Sequence, residues 1–376
     1  MKLKQFIQQE TVLTAAAVLA VVSAFFVPPD AQYLGYIDLR TLAILFSLMT
    51  VMAGLRRQGF LDGLGRALLS RTHSTFQLTL VLVGLCFFGS MFITNDVSLL
   101  TFVPFTFVVL SRLGADVRRS LLIPVVCMQT IAANLGSMLT PIGNPQNLYL
   151  YGKSGMSIGG FVLLMLPYTL VSLFLLLAWA AMVCRKASAA LSVDELVSSS
   201  ASQGDQKIIL LYLVLFAVCL LSVIRVLPYG IAFAAVLLCA LFADPHTLRA
   251  VDYSLLLTFV AFFIFIGNLG RIPAFSGWLQ EFLTGREVLV AVLASQVTSN
   301  VPAALLLSGF TAETHALIIG TNLGGLGTLI ASMASLISYR QIARELPQGK
   351  KQYFGLFTLS NLIFLAILLG VWFLLR

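Results

Sequence analysis

Four stretches of this chain are too long and too apolar for an ordinary soluble domain. They cover residues 11–27, 158–183, 208–226 and 354–375, and each approaches or exceeds the roughly 20 residues that an α-helix needs to cross a bilayer. The composition agrees, since 59% of the 376 residues are hydrophobic and only 10% are charged. The chain is therefore predicted to be an all-α, multi-pass protein of the inner cell membrane.

The hydropathy pattern predicts nine transmembrane helices and two shorter membrane-embedded elements. The spans lie near residues 11–27, 39–55, 120–148, 158–183, 208–226, 229–243, 253–269, 315–338 and 353–375. Segments 75–110 and 288–310 have polar residues at their centres and are predicted to be re-entrant hairpins. Most of the 23 Lys and Arg residues then lie on the side of the N-terminus, so the positive-inside rule predicts a cytoplasmic N-terminus and an external C-terminus.

Charge and cysteine content exclude several other classes of protein. A net charge of +8 could indicate nucleic-acid binding in a soluble protein, but here the basic residues lie between spans and report topology. The five cysteines are scattered through apolar segments without paired spacing, so neither a disulfide framework nor a metal cluster is indicated. We expect no nucleic-acid partner and no cofactor.

The chain divides into two halves that resemble each other. Residues 187–206 are Ser-rich and acidic, which is typical of a flexible linker, and they separate residues 1–186 from residues 207–376 on the cytoplasmic side. Residues 38–70 align with 252–284 without gaps. In the predicted topology the two segments cross the membrane in opposite directions, which indicates inverted repeats.

One polar signature occurs in both halves, at the centre of each hairpin. The first copy is ITNDVSLL at 93–100, and the second is TSNVPAALL at 298–306. Thr, Asn and Ser are natural helix N-caps, so each hairpin tip is predicted to expose the N-terminus of its second arm.

A second polar signature follows each hairpin. Residues 134–147 (NLGSMLTPIGNPQN) align with 322–335 (NLGGLGTLIASMAS), and their glycines and prolines predict breaks in the helices at 120–148 and 315–338. A broken helix offers carbonyl oxygens to a cation and a fresh N-terminus to an anion. Each tip together with its break could therefore form a cation site, with a substrate site between the two copies.

These signatures define the candidate residues. The predicted cation ligands, with sodium as the metal considered, are Thr94, Asn95, Asp96, Asn134, Gly136 and Thr140 in the first half and Ser299, Asn300, Asn322, Gly324 and Thr328 in the second. The predicted substrate contacts are Asn95, Asn144, Pro145, Asn300, Thr328 and Ser332.

Charge near the signatures is sparse. Asp96 is the only acidic residue deep within a membrane-embedded segment, where ionised groups usually mark ion or proton paths. No Lys or Arg lies near either tip or break in the sequence. A multiply charged anion would have to be held by amides, hydroxyls and bound cations, which favours cation-coupled uptake or a weakly charged substrate.

The chain resembles the ion transporter superfamily, which includes divalent anion:sodium symporters, citrate transporters, arsenite permeases and some sodium/proton antiporters. The similarity covers nearly the whole chain and is carried by TNDVSLLTFVP (94–104), NLGSMLTPIGNPQNLYLYG (134–152) and TSNVPAALLL (298–307), which look closest to the arsenite-permease and anion-transporter branch. The resemblance implies scaffold and transport domains, an elevator-like alternating-access cycle and a homodimer.

The same resemblance implies sodium ligands in each half. They are Thr94, Asn95, Gly136 and Thr140 in the first, and Ser299, Asn300, Gly324 and Thr328 in the second. The sodium-dicarboxylate branch has Ser-Asn-Thr at both tips. This chain has Asp96 and Val301 at the third position of its two tips.

The leading prediction is a secondary transporter that moves a small anion with sodium or protons. The alternative is an arsenite-type efflux permease or a cation/proton antiporter in which Asp96 carries the proton. A receptor or scaffold protein built on a transporter fold is a third reading, although costly polar breaks in both halves argue against it. A channel and an enzyme are disfavoured, because the sequence shows no filter-like repeat and no catalytic constellation.

Overall fold

In a computed structural model, the described residues, 10–113, 115–185 and 204–376, form helices joined by short loops. In chain order, the helices are α1 Thr11–Phe26, α2 Gln32–Tyr36, α3 Leu39–Arg57, α4 Phe60–Leu69, α5 Thr75–Ile93, α6 Asn95–Ser111, α7 Ala115–Ser137, α8 Pro145–Ser154 and α9 Ile158–Cys184. They continue with α10 Gln206–Val223, α11 Tyr229–Ala243, α12 Tyr253–Gly270, α13 Pro273–Leu283, α14 Glu287–Thr298, α15 Asn300–Ser308, α16 Thr314–Leu323, α17 Met333–Glu345 and α18 Lys350–Leu375. The prediction of a helical multi-pass membrane protein is confirmed. The linker predicted at 187–206 lies almost wholly outside the described residues.

The number of full-length spans differs from the prediction. Seven of the described helical segments are long and apolar enough to cross a membrane: Leu39–Arg57, Thr75–Ile93, Ala115–Ser137, Ile158–Cys184, Gln206–Val223, Tyr253–Gly270 and Pro347–Leu375. The predicted spans at 11–27 and 229–243 are helices of 16 and 15 residues. At 1.5 Å per residue, each is about 24 Å long or less, shorter than the ~30 Å hydrocarbon core. The span predicted at 315–338 divides into α16 and α17 because of its glycine-rich centre.

Both predicted hairpins are helix-turn-helix units. The arms α5 and α6 meet at Thr94, and the arms α14 and α15 meet at Ser299. The first pair runs antiparallel, since the Ser98 hydroxyl donates to the Cys86 carbonyl across the arms at 3.4 Å. Whether the hairpins re-enter or cross the membrane stays a prediction, and by length α5 could cross.

The helices outside the hairpins pair across the two halves. Helix α3 packs against α10 and α11, while α12 packs against α1. Arg57 at the end of α3 forms an ion pair with buried Asp244 after α11. Arg271 after α12 forms an ion pair with Asp30 after α1, at 2.8 Å. In each ion pair, the arginine therefore comes from one half and the aspartate from the other.

Candidate functional site

Each hairpin turns at a residue with a strained backbone. Thr94 has φ 68° and ψ 154°, and Ser299 has φ 76° and ψ 156°, a region that is favourable only for glycine. The turn directs the next amide towards the neighbouring break. Asn95 N–H donates to the Gly143 carbonyl at 3.1 Å, and Asn300 N–H donates to the Ala331 carbonyl at 2.9 Å. Non-glycine residues held in this conformation are typical of binding sites.

The breaks lie where their glycines and prolines predict. Helix α7 ends at Ser137 and α8 begins at Pro145, while α16 ends at Leu323 and α17 begins at Met333. In both breaks a threonine hydroxyl donates back to the first arm of its own hairpin. Thr140 donates to the Met91 carbonyl at 2.5 Å, and Thr328 donates to the Gln296 carbonyl at 3.2 Å.

Glycine allows each hairpin to approach its break closely. A Cβ added at Gly136 would lie 2.0 Å from the Phe87 carbonyl oxygen, and one at Gly324 would lie 2.6 Å from the Ser295 hydroxyl oxygen. Neither position can accept a side chain without moving the hairpin.

The first break is linked to the second through Asn134. Its side-chain oxygen accepts from Asn95 Nδ2 at 3.2 Å and from the Ser332 hydroxyl at 2.9 Å, and its Nδ2 donates to the Ser335 hydroxyl at 3.3 Å. Asn134 thus joins the tip of its own hairpin to the start of α17 in the other half.

Asn322 makes the corresponding links in the opposite direction. Its side-chain oxygen accepts from Asn144 Nδ2 at 3.1 Å, and its Nδ2 donates to Asn147 Oδ1 at 2.6 Å. The aligned asparagines Asn134 and Asn322 therefore each reach the second helix of the other break. The four of these contacts that join the two halves are all buried, so the two breaks form one polar centre.

The structure gathers most of the predicted site residues around this centre. The buried members are Asn95, Asn134, Gly136, Asn144, Pro145, Ser299, Asn300, Asn322, Gly324 and Ser332. Thr94, Asp96 and Thr140 are partly buried, and Thr328 is exposed. Gln146, which was not predicted, is also buried beside Pro145, and its amide nitrogen has no partner among the described residues.

A cavity of about 400 Å³ opens beside the first tip, and Thr94, Asp96, Asn144 and Pro145 line it. The Oδ1 atoms of Asp96 and Asn144 are both buried and have no hydrogen-bond partner among the described residues. Buried polar atoms are normally paired, so two open oxygen atoms at one cavity indicate a place for a ligand.

Basic residues also line this cavity, contrary to the expectation from sequence. Arg56 and Arg57 contribute from the end of α3, and the Arg56 guanidinium approaches the Leu100 carbonyl on α6 at 3.5 Å. An adjoining cavity of about 300 Å³ is lined by Asp96 and by Arg340 of α17. The arginines are distant from the motifs in sequence, and only the packing of α3 and α17 brings them near.

The two arginines of this cavity differ in their partners. Arg57 is paired with Asp244, whereas Arg56 makes no ion pair with any residue in the described part of the chain. Two carboxylates, Asp96 and Asp252, also face the cavity. A ligand in this cavity could therefore meet both a positively charged guanidinium and negatively charged carboxylates.

Comparison with known proteins identifies the family of this chain. Residues 6–316 match the family described as Citrate transporter. The chain belongs to this family. It is 32% identical over 324 residues to Inner membrane protein YbiR of Escherichia coli, with 84% of each protein covered, and 30% identical over 304 residues to Uncharacterized transporter MJ0456 of Methanocaldococcus jannaschii, with 81% of each covered.

A shorter similarity joins the chain to a plant protein. Over 137 residues, which are 36% of this chain and 27% of the relative, it is 31% identical to Silicon efflux transporter LSI3 of Oryza sativa. The family and these relatives make the chain a membrane transporter of the citrate and anion permease type and not an enzyme.

Proposed function

We propose that this citrate transporter family member is a secondary active transporter that moves a small anion by alternating access, coupled to sodium or protons. The observation that carries the proposal is the polar centre, where two helix breaks and two strained tips meet beside a cavity with open oxygen atoms. Polar breaks of this kind are costly within a membrane unless they line a binding site.

The contacts suggest how the two ions would be held. The first tip and break, with Asp96, offer oxygen atoms to a cation. Arg56 and the N-terminus of α8 at Asn144 and Pro145 offer positive charge to an anion in the same cavity. A cation bound near Asp96 would offset the negative charge that otherwise repels the anion.

The larger architecture in this proposal follows from the repeats. The hairpins and broken helices form the mobile transport domain, the remaining helices form the scaffold, and the protein is a homodimer with the N-terminus inside the cell. The reciprocal links of Asn134 and Asn322 and the exchanged ion pairs support a pseudo-twofold relation between the halves.

Flux measurements in proteoliposomes test this function. Purified protein should take up at least one anion from a panel of citrate, succinate, sulfate and phosphate, and a sodium or proton gradient should accelerate that uptake. Protein-free liposomes and liposomes carrying an Asn95→Ala, Asn300→Ala double variant are the controls. Uptake that no cation gradient changes would refute coupled transport.

The alternative is efflux of a neutral hydroxide such as arsenite or silicic acid, or cation/proton antiport, with Asp96 carrying the proton. The open Oδ1 of Asp96 and the similarity to a silicon efflux transporter favour it. Asp96→Asn should then abolish the pH dependence of transport while the protein remains folded. An Asp96→Asn variant with the native pH profile would exclude this role.

A further inference from the structure

Gln296, on the first arm of the second hairpin, has its amide inserted into the second helix break. Its Nε2 donates to the Gly324 carbonyl at 3.0 Å and to the Leu326 carbonyl at 2.9 Å. Its Oε1 accepts from Thr328 N–H at 2.9 Å. This donor and acceptor pattern fixes the orientation of the amide, because a flipped amide would face like groups at all three contacts.

The space for this amide is specific to the second half. A Cβ at Gly327 would lie 2.3 Å from Gln296 Oε1, and Gly327 has a φ of 105°. In the aligned first half, Met91 takes the place of Gln296 and Leu139 takes the place of Gly327. The two differences belong together, because Gln296 gives the second half a polar side chain and Gly327 leaves space for it.

The first break holds a different amide, since Asn147 Nδ2 donates to the Ser137 carbonyl at 3.4 Å and to the Thr140 carbonyl at 3.3 Å. Among the described residues no side chain donates to the carbonyls of Gly136 and Met138, which align with Gly324 and Leu326. The adjacent Asp96 adds a carboxylate at the first tip, where the second tip has Val301. The two breaks therefore differ in charge and in which of their carbonyl oxygens accept from a side-chain amide.

We infer that the Gln296 amide replaces a bound cation at the second break, so that the transporter couples to an ion at the first break only. An amide NH₂ group directed at two carbonyl oxygens places partial positive charge where a cation would otherwise bind those oxygens. The inference rests on the proposed function. Of the two predicted cation sites, the one at the second break is then occupied by the Gln296 side chain and not by an ion.

Exchange of the aligned residues tests this inference. Gln296→Met places the residue of the first half in the second break and should open a second cation site. The reverse change, Met91→Gln with Leu139→Gly, should fill the first break. Gln296→Glu is an additional variant that keeps the side-chain volume, removes the donor and should attract a cation more strongly.

The measurement is the melting temperature of purified protein in detergent at increasing sodium chloride concentration, with choline chloride keeping the ionic strength constant. A ligand that binds only the folded state raises stability by mass action, and each bound ion adds equally to the slope against log concentration at saturation. The slope for Gln296→Met should be about twice the native slope, and the slope for the Met91→Gln, Leu139→Gly variant should be close to zero.

Gln129→Met is the matched control. Gln129 is also buried and donates to backbone carbonyls, at 3.1 Å to Leu82 and 3.5 Å to Phe102, but it lies outside both breaks. Its replacement should lower the melting temperature and leave the sodium slope unchanged.

The outcomes separate this inference from the proposed function. If Gln296→Met and Gln296→Glu fold and keep the native sodium slope, or if the native protein already shows the slope of two ions, the inference is wrong. If the native protein shows no sodium slope because protons drive it, a sodium slope that appears in Gln296→Met still supports the inference. Absence of any coupled flux in native proteoliposomes would instead refute the proposed function.

Discussion

At the scale of single residues, the two hairpin tips place non-glycine residues in a backbone conformation that suits glycine. Thr94 and Ser299 have positive φ and nearly extended ψ, a combination that costs about 1–3 kcal/mol for a residue with a Cβ. The tips retain a hydroxyl residue in spite of this cost. We interpret the strain as a consequence of the cation-binding role that we propose for the two residues.

Thr94→Gly should therefore raise stability and lower transport. Relief of the backbone strain should exceed the ~0.5–1 kcal/mol entropic penalty of glycine, so the melting temperature of the purified protein should increase slightly. Thr94→Ala is the control, since it removes the hydroxyl and keeps the strain. A Thr94→Gly protein that melts below Thr94→Ala would contradict the strain argument.

Gly136→Ala should be strongly destabilising, because the new methyl group would lie 2.0 Å from the Phe87 carbonyl oxygen. Overpacking of this kind costs about 1–3 kcal/mol or more, and the displaced hairpin should also lose transport. The control is Gly355→Ala on α18, where nothing lies within 4 Å of the new Cβ. Thermal unfolding should show Gly355→Ala unchanged or slightly stabilised. Equal melting temperatures for the two variants would show that the Phe87 carbonyl does not lie close to Gly136.

At the scale of helices, the exchanged ion pairs fasten α3 to α11 and α12 to α1 in different environments. Asp244 is only 7% exposed and also accepts from the Thr247 hydroxyl at 2.7 Å, whereas Asp30 is 38% exposed. Loss of a partner is costly for a buried charge and minor for an exposed one. The two equivalent pairs should therefore differ in their contribution to stability.

Arg57→Gln should lower the melting temperature clearly, and Arg271→Gln should change it little. Removal of the guanidinium at Arg57 leaves Asp244 buried with hydroxyl partners only, which we expect to cost about 1–3 kcal/mol. Arg271→Gln is the matched control on the aligned helix. High salt should reduce any effect of Arg271→Gln and leave that of Arg57→Gln largely intact. If Arg271→Gln lowered the melting temperature more than Arg57→Gln, the buried pair would not be the more stabilising of the two.

At the scale of the whole molecule, the two halves are joined at their polar centre by residues far apart in sequence. The bond from Ser332 to Asn134 spans 198 residues, and the bond from Asn144 to Asn322 spans 178. In the alternating-access cycle that we propose, the two breaks would move together, and these contacts directly link them.

Asn134→Ala and Asn322→Ala should have similar consequences. Each removes two buried hydrogen bonds between the halves, and we expect a loss of about 1–3 kcal/mol together with a large loss of transport in proteoliposomes. Asn361→Ala is the control, because Asn361 is equally buried but donates to the Phe357 carbonyl of its own helix. A loss of transport in Asn361→Ala as large as in the other two would show that burial, and not the link between halves, matters.

The sequence by itself determined the class of protein and the places where its helices stop. Apolar length predicted the membrane helices, and Gly136, Pro141 and Pro145 predicted the first break, because helix propensity and hydropathy are local properties. The aligned signatures also predicted which residues meet in each half. The helices predicted at 11–27 and 229–243 are present at almost the same bounds, but with 16 and 15 residues each is shorter than a full span.

The tertiary structure alone decided which distant residues share the site. Arg56 and Arg340 carry no local signal, yet the packing of α3 and α17 places them around Asp96. The amide of Gln296 enters the second break because the hairpin packs against that break. The aligned residue in the first hairpin, Met91, has no amide and cannot donate such hydrogen bonds. Such contacts depend on how the helices pack in three dimensions. The pattern of residue types along one chain does not contain the distances between side chains on different helices.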